Sequence, residues 1–549
     1  MHHCFEIYDI YLHILRCLRN SYDERDLAAL AAMAGTCRAL SDPALDVLWE
    51  EPSSIVDLIK CLPEETWEIG VGEHNRPRIV INEPLIPSDW ARFGYYASRV
   101  RRLVIFDNPP SNQLLCEGST LSTLTDHCLT TPLLPHLQYL EIQCLWQSSW
   151  PHIRSFSGPE LTAFHGMLDS LSKRGTMSVL SNLAHVSPNL TSVEISTRCR
   201  GFDTSLIAEA LQDLRNLRRV ALEMPPPRQY PVELFSWLAS LRLLSYLRLH
   251  LVAAALIVDM ESSSNMPFPK KPRSFMQSLA TLDTLCLSTT TLKAAHDVLS
   301  SFPGIPSLRS LSVRLELKFF DDQLEDDEAM LRQLCRVITG TCSHKQMTEL
   351  EIDTVDNVTT GRIAPSISID AIAPLFEFHS LERVTLCLSV VLLDIADADL
   401  ERVATAWPSL RILDIMSVRP RGHGPVQSSL TCEALVILAM HAPQLESLGI
   451  TLDAQSITLD KLRQIEGAQV ALECLRELTI VESQCGDPHA IANAIHIMCP
   501  NLTHLWTSDK SEAGKWADVR RLWGGVQPRK RVTLLREAER GEREVTTDA

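Results

Sequence analysis

The feature that most constrains this chain is a short aliphatic motif that recurs along most of its length. Three aliphatic residues in the spacing L-x-x-L-x-L occur in twelve segments, and a weaker match, LTHLWT, makes a thirteenth. The mean spacing is about 33 residues, within the range of repeat architectures. The spacing alone is a weak signal, because about eight to ten such triplets are expected by chance in a chain this long. The thirteen segments begin at residues 100, 137, 190, 217, 244, 282, 308, 347, 381, 410, 445, 475 and 502.

A proline at a fixed position makes the repeat significant. It lies two residues before the first aliphatic residue in six of the thirteen segments, whereas 31 prolines in 549 residues predict about one by chance. Proline ends a helix and removes a backbone donor, so the leucine that follows can begin a strand. The six prolines are Pro135, Pro188, Pro306, Pro408, Pro443 and Pro500.

Helical patterns precede many of these segments, such as LIAEALQDLRNL before residue 217 and ALVILAMHAPQL before residue 445. The order helix, tight turn, short strand and loop therefore recurs. A unit of this kind cannot bury its apolar face alone, so successive units stack on one another. We predict an α/β fold over residues 100–523: a curved solenoid of about 12–13 irregular units with a parallel sheet on its concave side.

Residues 1–52 have a different pattern, which predicts a small all-α head. The apolar residues of the first segment lie on one stripe of a helix, and an alanine-rich second segment follows at residues 26–38. A third helix is expected to begin at Asp42 and Pro43, because Asp is a favoured N-cap and Pro a favoured first helical residue. Two interpretations stay open. The head caps the solenoid, or it is a docking module whose excess apolar surface a partner buries.

The segments on either side of the predicted repeats have different compositions. Residues 53–99 are expected to be a linker and the N-terminal cap of the solenoid, whereas residues 524–549 are highly charged and are expected to be disordered. Four aromatic residues before the first repeat would cover its open edge, although exposed aromatics also mark binding surfaces. They are Trp90, Phe93, Tyr95 and Tyr96.

Composition argues against several classes of protein. With 51 Lys and Arg against 68 Asp and Glu, the formal charge of −17 disfavours a nucleic-acid or anionic-membrane binder. The longest apolar run, 251–258, is far shorter than the about 20 residues of a membrane-spanning helix. The N-terminal residues include Glu6 and Asp9, which make a poor secretory signal. Sixteen scattered cysteines then indicate reduced thiols, and a cytoplasmic or nuclear location.

The chain lacks the short motifs of common catalytic and metal sites. There is no C-x-x-C, H-E-x-x-H, G-x-x-x-x-G-K-[ST] or G-x-S-x-G. The triplet His2-His3-Cys4 lies at a chain end, and the acidic run 321–328 lacks the glycine of an EF-hand loop. We therefore expect no catalytic residue, no metal and no cofactor. An enzyme would need His and carboxylate side chains gathered in one pocket.

Three segments resemble F-box/leucine-rich-repeat proteins, particularly the large fungal (mushroom-type) group. They are MHHCFEIYDIYLHIL, LAALAAMAGTCRALSDPALDVLWEE and SDWARFGYYASRVRRLVI, of which the second is the most specific. The resemblance covers nearly all of the chain. F-boxes often open with Leu-Pro or Ile-Pro, whereas Ile7 is followed here by Tyr8. The resemblance implies that residues 1–52 form an F-box and residues 100–523 form leucine-rich repeats.

The resemblance also implies a function. In that family the F-box packs on a Skp-type adaptor, which joins a cullin scaffold and a RING protein, and the repeats hold a protein substrate for ubiquitin transfer. The chain is then expected to be the substrate-recognition subunit of an SCF-type E3 ubiquitin ligase, and not an enzyme itself. The alternative is a repeat scaffold that binds a protein partner without any ligase. By position, the adaptor-binding residues would be Ile7, Ile10, Ile14, Leu15, Leu18, Leu27, Leu30, Pro43, Leu45 and Trp49.

Overall fold

The structure is a computed structural model in which the chain divides into two compact units, Met1–Thr281 and Leu282–Ala549. Ile7, the His2-His3-Cys4 triplet, most of the acidic run 321–328 and the tail after residue 525 lie outside the residues that the structure describes. The described residues are 8–19, 24–72, 75–82, 84–106, 113–143, 150–168, 173–197, 205–224, 232–251, 279–302, 304–317, 327–356, 366–388, 392–416, 428–457, 470–481, 483–508 and 513–525.

The first unit begins with three helices, which we call the head, followed by an antiparallel hairpin and two short helices. The hairpin pairs β1 with β2. The elements are α1 (Tyr8–Arg19), α2 (Glu24–Ala34), α3 (Arg38–Trp49), α4 (Ile55–Ile59), β1 (Trp67–Val71), β2 (Pro77–Ile81) and α5 (Trp90–Ala97).

The start predicted for the third helix is wrong, because α3 begins at Arg38 and not at Asp42. Cys37 is the N-cap, and its carbonyl already accepts a bond from the Ser41 amide at 3.0 Å. Pro43 lies inside the helix and is buried there. The Asp42 carboxylate does not cap the helix, because Arg99 holds it at 2.7 Å.

A parallel sheet of six strands follows in the first unit. Its strands lie in sequence order from β3 to β8, so each repeat adds one strand beside the last. The elements are β3 (Arg102–Phe106), α6 (Gly118–Asp126), β4 (Tyr139–Gln143), β5 (Ala163–Met167), α7 (Lys173–Val186), β6 (Ser192–Ser196), α8 (Ser205–Leu211), β7 (Arg219–Glu223), α9 (Val232–Ser240) and β8 (Tyr246–His250).

The second unit contains eight parallel strands in the order β9-β10-β11-β13-β15-β16-β17-β18. Strands β12 and β14 form a separate parallel pair. The elements are β9 (Thr284–Thr289), α10 (Leu292–Ser301), β10 (Ser310–Leu317), α11 (Asp327–Thr341), β11 (Glu349–Asp356), β12 (Ser366–Ser368), β13 (Arg383–Cys387), β14 (Leu392–Asp394), α12 (Asp397–Ala406), β15 (Ile412–Ile415), α13 (Glu433–His441), β16 (Ser447–Ile450), β17 (Glu477–Val481), α14 (Pro488–Met498), β18 (His504–Ser508) and α15 (Ala513–Gly525).

Each of the thirteen segments predicted from the aliphatic motif contains a strand, as expected. Alternate strand residues point to opposite sides of the sheet, so a full match to the motif places its last two aliphatics in the core. In β3, for example, Leu103 and Ile105 are buried, whereas Arg102 is exposed. The residues between the aliphatics form the outward side of each sheet. A short strand repeated in one parallel sheet, with a turn before it and a helix in many connections, is the leucine-rich-repeat arrangement.

The recurrent proline builds the turn that precedes the strand. In Ser187-Pro188-Asn189-Leu190, the Leu190 amide donates to the Ser187 carbonyl at 3.2 Å, which closes a four-residue turn. The same bond joins Leu410 to Trp407 at 3.3 Å. Proline suits the second position of such a turn, because its fixed φ matches that position and its missing N–H is not needed there.

One strand of the two long parallel sheets was missed by the aliphatic pattern. Strand β5 fills the long interval between the segments at residues 137 and 190, and it carries Phe164 and Gly166 where the motif has aliphatics. A side chain at Gly166 would lie 2.8 Å from the Phe164 ring and 3.3 Å from Trp150, so the two aromatics occupy its volume. Pro159, two residues before Leu161, is the signal that could have revealed this repeat.

Candidate interaction surfaces

The three helices of the head meet in a small core of their own. Of the residues assigned to adaptor binding, Leu15 and Leu30 are fully buried in this core, and Leu18 and Leu27 pack against it. These four side chains therefore hold the head together. The buried residues of the core are Tyr11, Leu15, Leu30, Leu40, Ala44 and Val47.

The apolar stripe of α1 extends beyond the residues that the core covers. Ile10 is 43% exposed, and Ile14, one turn further along the same side, is half-buried. We call these two residues the α1 face. Tyr8, at the start of the helix, is 55% exposed. Of the other assigned residues, Pro43 is buried and Leu45 is half-buried.

Helix α3 joins the head to the first repeat through side chains of α5. Trp49 stacks on Tyr96 with ring centroids 4.5 Å apart, so this assigned residue packs within the unit. Arg99, just after α5, binds the carboxylates of Asp42 and Asp46, which lie one turn apart on α3. These contacts fix the orientation of the head relative to the repeats of the first unit.

Backbone hydrogen bonds also connect the head to the first repeat. In the repeats, the carbonyl of the residue just before a strand accepts hydrogen bonds from two successive amides at the start of the next strand. The Arg101 carbonyl, for example, accepts from the amides of Gln138 and Tyr139 at 2.8 and 3.0 Å. At the first repeat the acceptor is Glu50, at the end of α3, which takes the Arg101 and Arg102 amides at 2.8 and 2.9 Å. The head therefore occupies the place of a preceding repeat.

The end of α3 is also held from α1. The Arg19 guanidinium donates to the carbonyls of Val47 at 2.6 Å and Leu48 at 2.7 Å, and also to that of Glu51. A cation at the C-terminus of a helix satisfies carbonyls that have no intrahelical partner. Helix α1 is thereby fixed to α3, which is itself fixed to the repeats.

The aromatic cluster expected to cover the first repeat divides between two roles. Trp90 and Phe93 are buried within the unit, with ring centroids 5.0 Å apart, whereas Tyr96 contacts Trp49 of the head. Tyr95 is 47% exposed, and its hydroxyl donates to Asp42 at 3.3 Å. The cluster serves mainly as packing between the head and the first repeat.

The outward side of the first sheet carries a closed polar network around Glu141. Its carboxylate accepts from the Tyr139 hydroxyl at 2.7 Å and from the Gln143 amide at 2.5 Å. His165 Nδ1 lies 3.3 Å from Glu141 Oε1, because β4 and β5 place the two residues side by side. Nearby, Arg102 stacks over the Tyr139 ring at 4.1 Å.

These contacts shift both titrating groups in the network. The hydrogen bond from His165, aided by Tyr139 and Gln143 against the opposing effect of burial, lowers the pKa of Glu141 to about 2. The same bond to Glu141 raises the pKa of His165, with Glu194 adding to the effect. Burial, with the bond to Glu141, raises the pKa of Tyr139. The network is therefore an ion pair over a wide range of pH.

The outward side of the second sheet is acidic. Five carboxylates project from β11, β15 and β17, and two arginines from β10 and β13 lie among them. Burial raises the pKa of Asp353 and of Asp414, and nearby carboxylates raise both further. We call this surface the acidic face. Its carboxylates are Glu349, Glu351, Asp353, Asp414 and Glu477, and its arginines are Arg314 and Arg383.

The described residues contain no group of three or more His, Cys, Asp or Glu side chains placed to hold a metal ion. No helix within the described ranges is both long enough and apolar enough to span a bilayer. The sequence pointed to neither the α3–α5 joint nor the Glu141 network. The network was hidden because β5, which carries His165, was missed.

No protein-family model matches the sequence. No curated protein matches it either. Among solved structures, the chain is similar to the leucine-rich repeat-containing protein LegL7 from Legionella pneumophila, with 15% identity over 71% of this chain and 98% of that chain and a TM-score of 0.31. It is also similar to the Toll–Spatzle complex from Drosophila, with 14% identity over 81% of this chain and 62% of that chain and a TM-score of 0.30. At these TM-scores neither similarity carries an argument, so the assignment of the fold rests on the repeats themselves.

Proposed function

We propose that this chain is the substrate-recognition subunit of an SCF-type (cullin-RING) E3 ubiquitin ligase. In this proposal the head binds a Skp-type adaptor, which connects it to the cullin and RING subunits, and the repeats bind a protein substrate. The observation that carries the proposal is the α1 face. Ile10 is exposed and Ile14 is half-buried beside the residues of α1 that fill the head core, and an apolar stripe wider than its core is typical of a helix that docks on a partner.

The mechanism in this proposal is proximity and needs no catalytic residue. A receptor that holds its substrate beside a loaded conjugating enzyme raises the local concentration of the reacting groups. The joint of α3 with α5 supports this role, because Arg99 and Trp49 couple the head to the first repeats without a flexible linker. The proposed setting is the cytoplasm or the nucleus. The sixteen cysteines are scattered without the spacing of a disulfide framework, which agrees with this setting.

A second candidate is a leucine-rich-repeat scaffold that binds a protein partner without a ligase. The observation that favours it is the carbonyl of Glu50, which accepts the amides of Arg101 and Arg102 where a preceding repeat would do so. A solenoid needs a cap at its open end, and the head supplies one whether or not an adaptor binds. The two candidates therefore differ only in the task of the α1 face.

The test is a titration of the full chain with a purified Skp-type adaptor, using the variant Ile10→Asp. A buried isoleucine contributes about 1.5–3 kcal/mol, and the added charge raises the loss, so we expect adaptor affinity to fall at least about 30-fold. The matched control is Leu243→Asp, at a residue of the same unit that is 46% exposed and lies outside the head. This control should keep full affinity.

Point variants are preferable to deleting the head, because a deletion would also remove α3 and expose the first repeat. Retained adaptor binding in Ile10→Asp would show that the α1 face is not the docking surface. If the unmodified chain fails to bind any Skp-type adaptor, the ligase proposal is wrong and the scaffold candidate stands.

A further inference from the structure

The acidic face of the second unit holds more charge than its own cations neutralise. Arg314 lies 3.3 Å from Glu351 and 3.7 Å from Asp353, and Arg383 lies 3.8 Å from Glu349. Both arginines thus pair with carboxylates of β11, although the charge of Arg383 also attracts the Asp414 carboxylate on β15. Further across the sheet, Asp414 has no Lys or Arg within salt-bridge distance among the described residues, and Glu477 has only the His504 imidazole, whose Nδ1 lies 3.9 Å from its Oε1.

One row of outward-facing residues, aligned across six neighbouring strands of this sheet, contains several small side chains. The register aligns Glu351, Thr385 and Asp414 on successive strands, followed by Gly449, Thr479 and Trp506. Gly449 leaves room for the Asp414 carboxylate, which lies where a side chain at 449 would begin. The row therefore has small residues between Glu351 and Asp414 and between Asp414 and Trp506.

An exposed tryptophan ends this row. Trp506 is 60% exposed, and it stands three strands away from Asp414. At about 4.8 Å between strands the separation is about 14 Å, which an extended chain covers in about four residues. Two side chains four residues apart on one side of such a chain would therefore reach Asp414 and Trp506. An arginine suits both, since it pairs with carboxylates and stacks on tryptophan.

We propose that the acidic face binds an extended, arginine- or lysine-rich protein segment that runs across the strands from Glu351 to Trp506. The inference rests on the proposed role of the repeats as the partner-binding part of the chain. Charge complementarity selects this occupant, because the excess carboxylates repel nucleic acids and acidic peptides. The length also fits, since five strand spacings of about 4.8 Å correspond to about seven or eight extended residues.

The experiment uses the full chain and a fluorescently labelled 12-residue peptide of alternating Arg and Ser, with binding followed by anisotropy. Each exposed charge pair contributes a factor of about two to five, so the double variant Glu351→Gln/Asp414→Asn should weaken binding about ten-fold. Trp506→Ala should weaken it about two- to five-fold. Both polar substitutions keep the size of the native side chains, and thermal unfolding of each variant checks that it is folded.

Two controls separate this site from general attraction to a negative protein. Glu223→Gln removes an exposed carboxylate from the first sheet and should change affinity by less than about two-fold, as for one screened charge outside the site. A labelled Glu-Ser peptide of the same length should not bind. An Arg-Ser peptide that fails to bind, or that is weakened as much by Glu223→Gln as by Asp414→Asn, would overturn the inference.

The same preparations separate this inference from the ligase proposal. Variants of the acidic face should bind the Skp-type adaptor like the unmodified chain, since they leave the head unchanged. Loss of peptide binding with intact adaptor binding removes only the inference about the acidic face. Intact peptide binding with no adaptor binding removes only the ligase.

Discussion

In the first unit the outward carboxylate of β4 is surrounded by donors from its own sheet, whereas in the second unit the outward carboxylates outnumber the cations beside them. Glu141 takes bonds from Tyr139, Gln143 and His165. Asp414, by contrast, is a weaker acid than usual, because burial and the charge of Glu477 both raise its pKa. The same repeat thus carries a carboxylate that is neutralised within its own sheet in one unit and carboxylates in excess of the neighbouring cations in the other.

This difference shows how a repeat fold separates stability from recognition. The buried aliphatics recur at the same positions in most strands, because each strand packs between similar neighbours. The outward residues meet solvent or a partner, so they can vary without loss of the core. A network that satisfies itself stabilises its own sheet, whereas unpaired charge of one sign gives a surface its specificity for a partner.

The largest expected effect tests whether the two cores are equivalent. Leu140 of β4 and Leu413 of β15 are both fully buried at the same motif position. Replacement of either by alanine leaves a cavity and should cost about 3 kcal/mol of unfolding free energy. Hydrogen exchange resolved to peptides of each unit measures the loss where it occurs. A loss below about 1 kcal/mol in only one unit would show that the repeats do not share one kind of core.

The next prediction compares the loss of stability when alanine replaces a glycine on the core side of β5 and a glycine in the outward row of β16. Alanine at Gly166 would collide with the Phe164 ring and approach Trp150, both of which are buried, so we expect a loss of about 1–3 kcal/mol. Alanine at Gly449 would meet the ends of the Asp414 and Met416 side chains, which can turn aside, and should cost less than about 0.5 kcal/mol. Thermal unfolding of the two variants measures the difference. Equal losses would contradict the packing described around β5.

These particular residues also show how far the sequence could predict the structure. The strands were predictable because each motif is local: the aliphatic spacing and Pro188 or Pro408 are legible without knowing the neighbouring repeats. Strand β5 escaped because Phe164 and Gly166 replace the aliphatics as a pair fitted to Trp150. The pairing of a phenylalanine with a glycine in one strand can be explained only when the position of Trp150 is known.

The surfaces were less predictable than the strands. Glu141 and His165 are 24 residues apart in sequence and meet only through the register of β4 with β5. The joint of the head depends on Arg99 reaching back to Asp42, more than 50 residues earlier. Neither contact follows from periodicity. The stacking of Trp49, one of the residues assigned to the adaptor, on Tyr96 likewise does not follow from the sequence pattern.

A third prediction uses pH to test the network of the first sheet. The pKa of Glu141 is lowered from 4.5 to about 2, so its stabilising contribution is present above 4.5 and is lost as the pH falls towards 2. The pKa of His165 is raised above 6.5, so its contribution is complete below 6.5 and is lost as the pH rises through the raised value. Glu141→Gln should therefore cost about 1–2 kcal/mol between these limits and less on either side.

The measurement is the unfolding free energy of the first unit from about pH 3 to pH 9, with and without the substitution. His165→Gln is the matched variant, since it removes the other member of the pair and should give the same dependence on pH. A difference that stays constant across this range would contradict an ion pair between the two residues.

The smallest effect should have the opposite sign, and it completes the comparison. Burial, then the charge of Glu477, raises the pKa of Asp414, so the ionised carboxylate opposes folding at neutral pH. Asp414→Asn removes that charge and keeps an acceptor for Thr385, so it should stabilise the second unit by about 0.5 kcal/mol at pH 7. The gain should vanish as the pH falls through the raised pKa, because the native carboxyl is then neutral as well. Thermal unfolding of both proteins at pH 7, and at an acidic pH where the native carboxyl is neutral, measures this change in stability. If Asp414→Asn destabilises the chain at neutral pH as Glu141→Gln does, both sheets neutralise their own charges, and the acidic face has no excess to offer a basic partner.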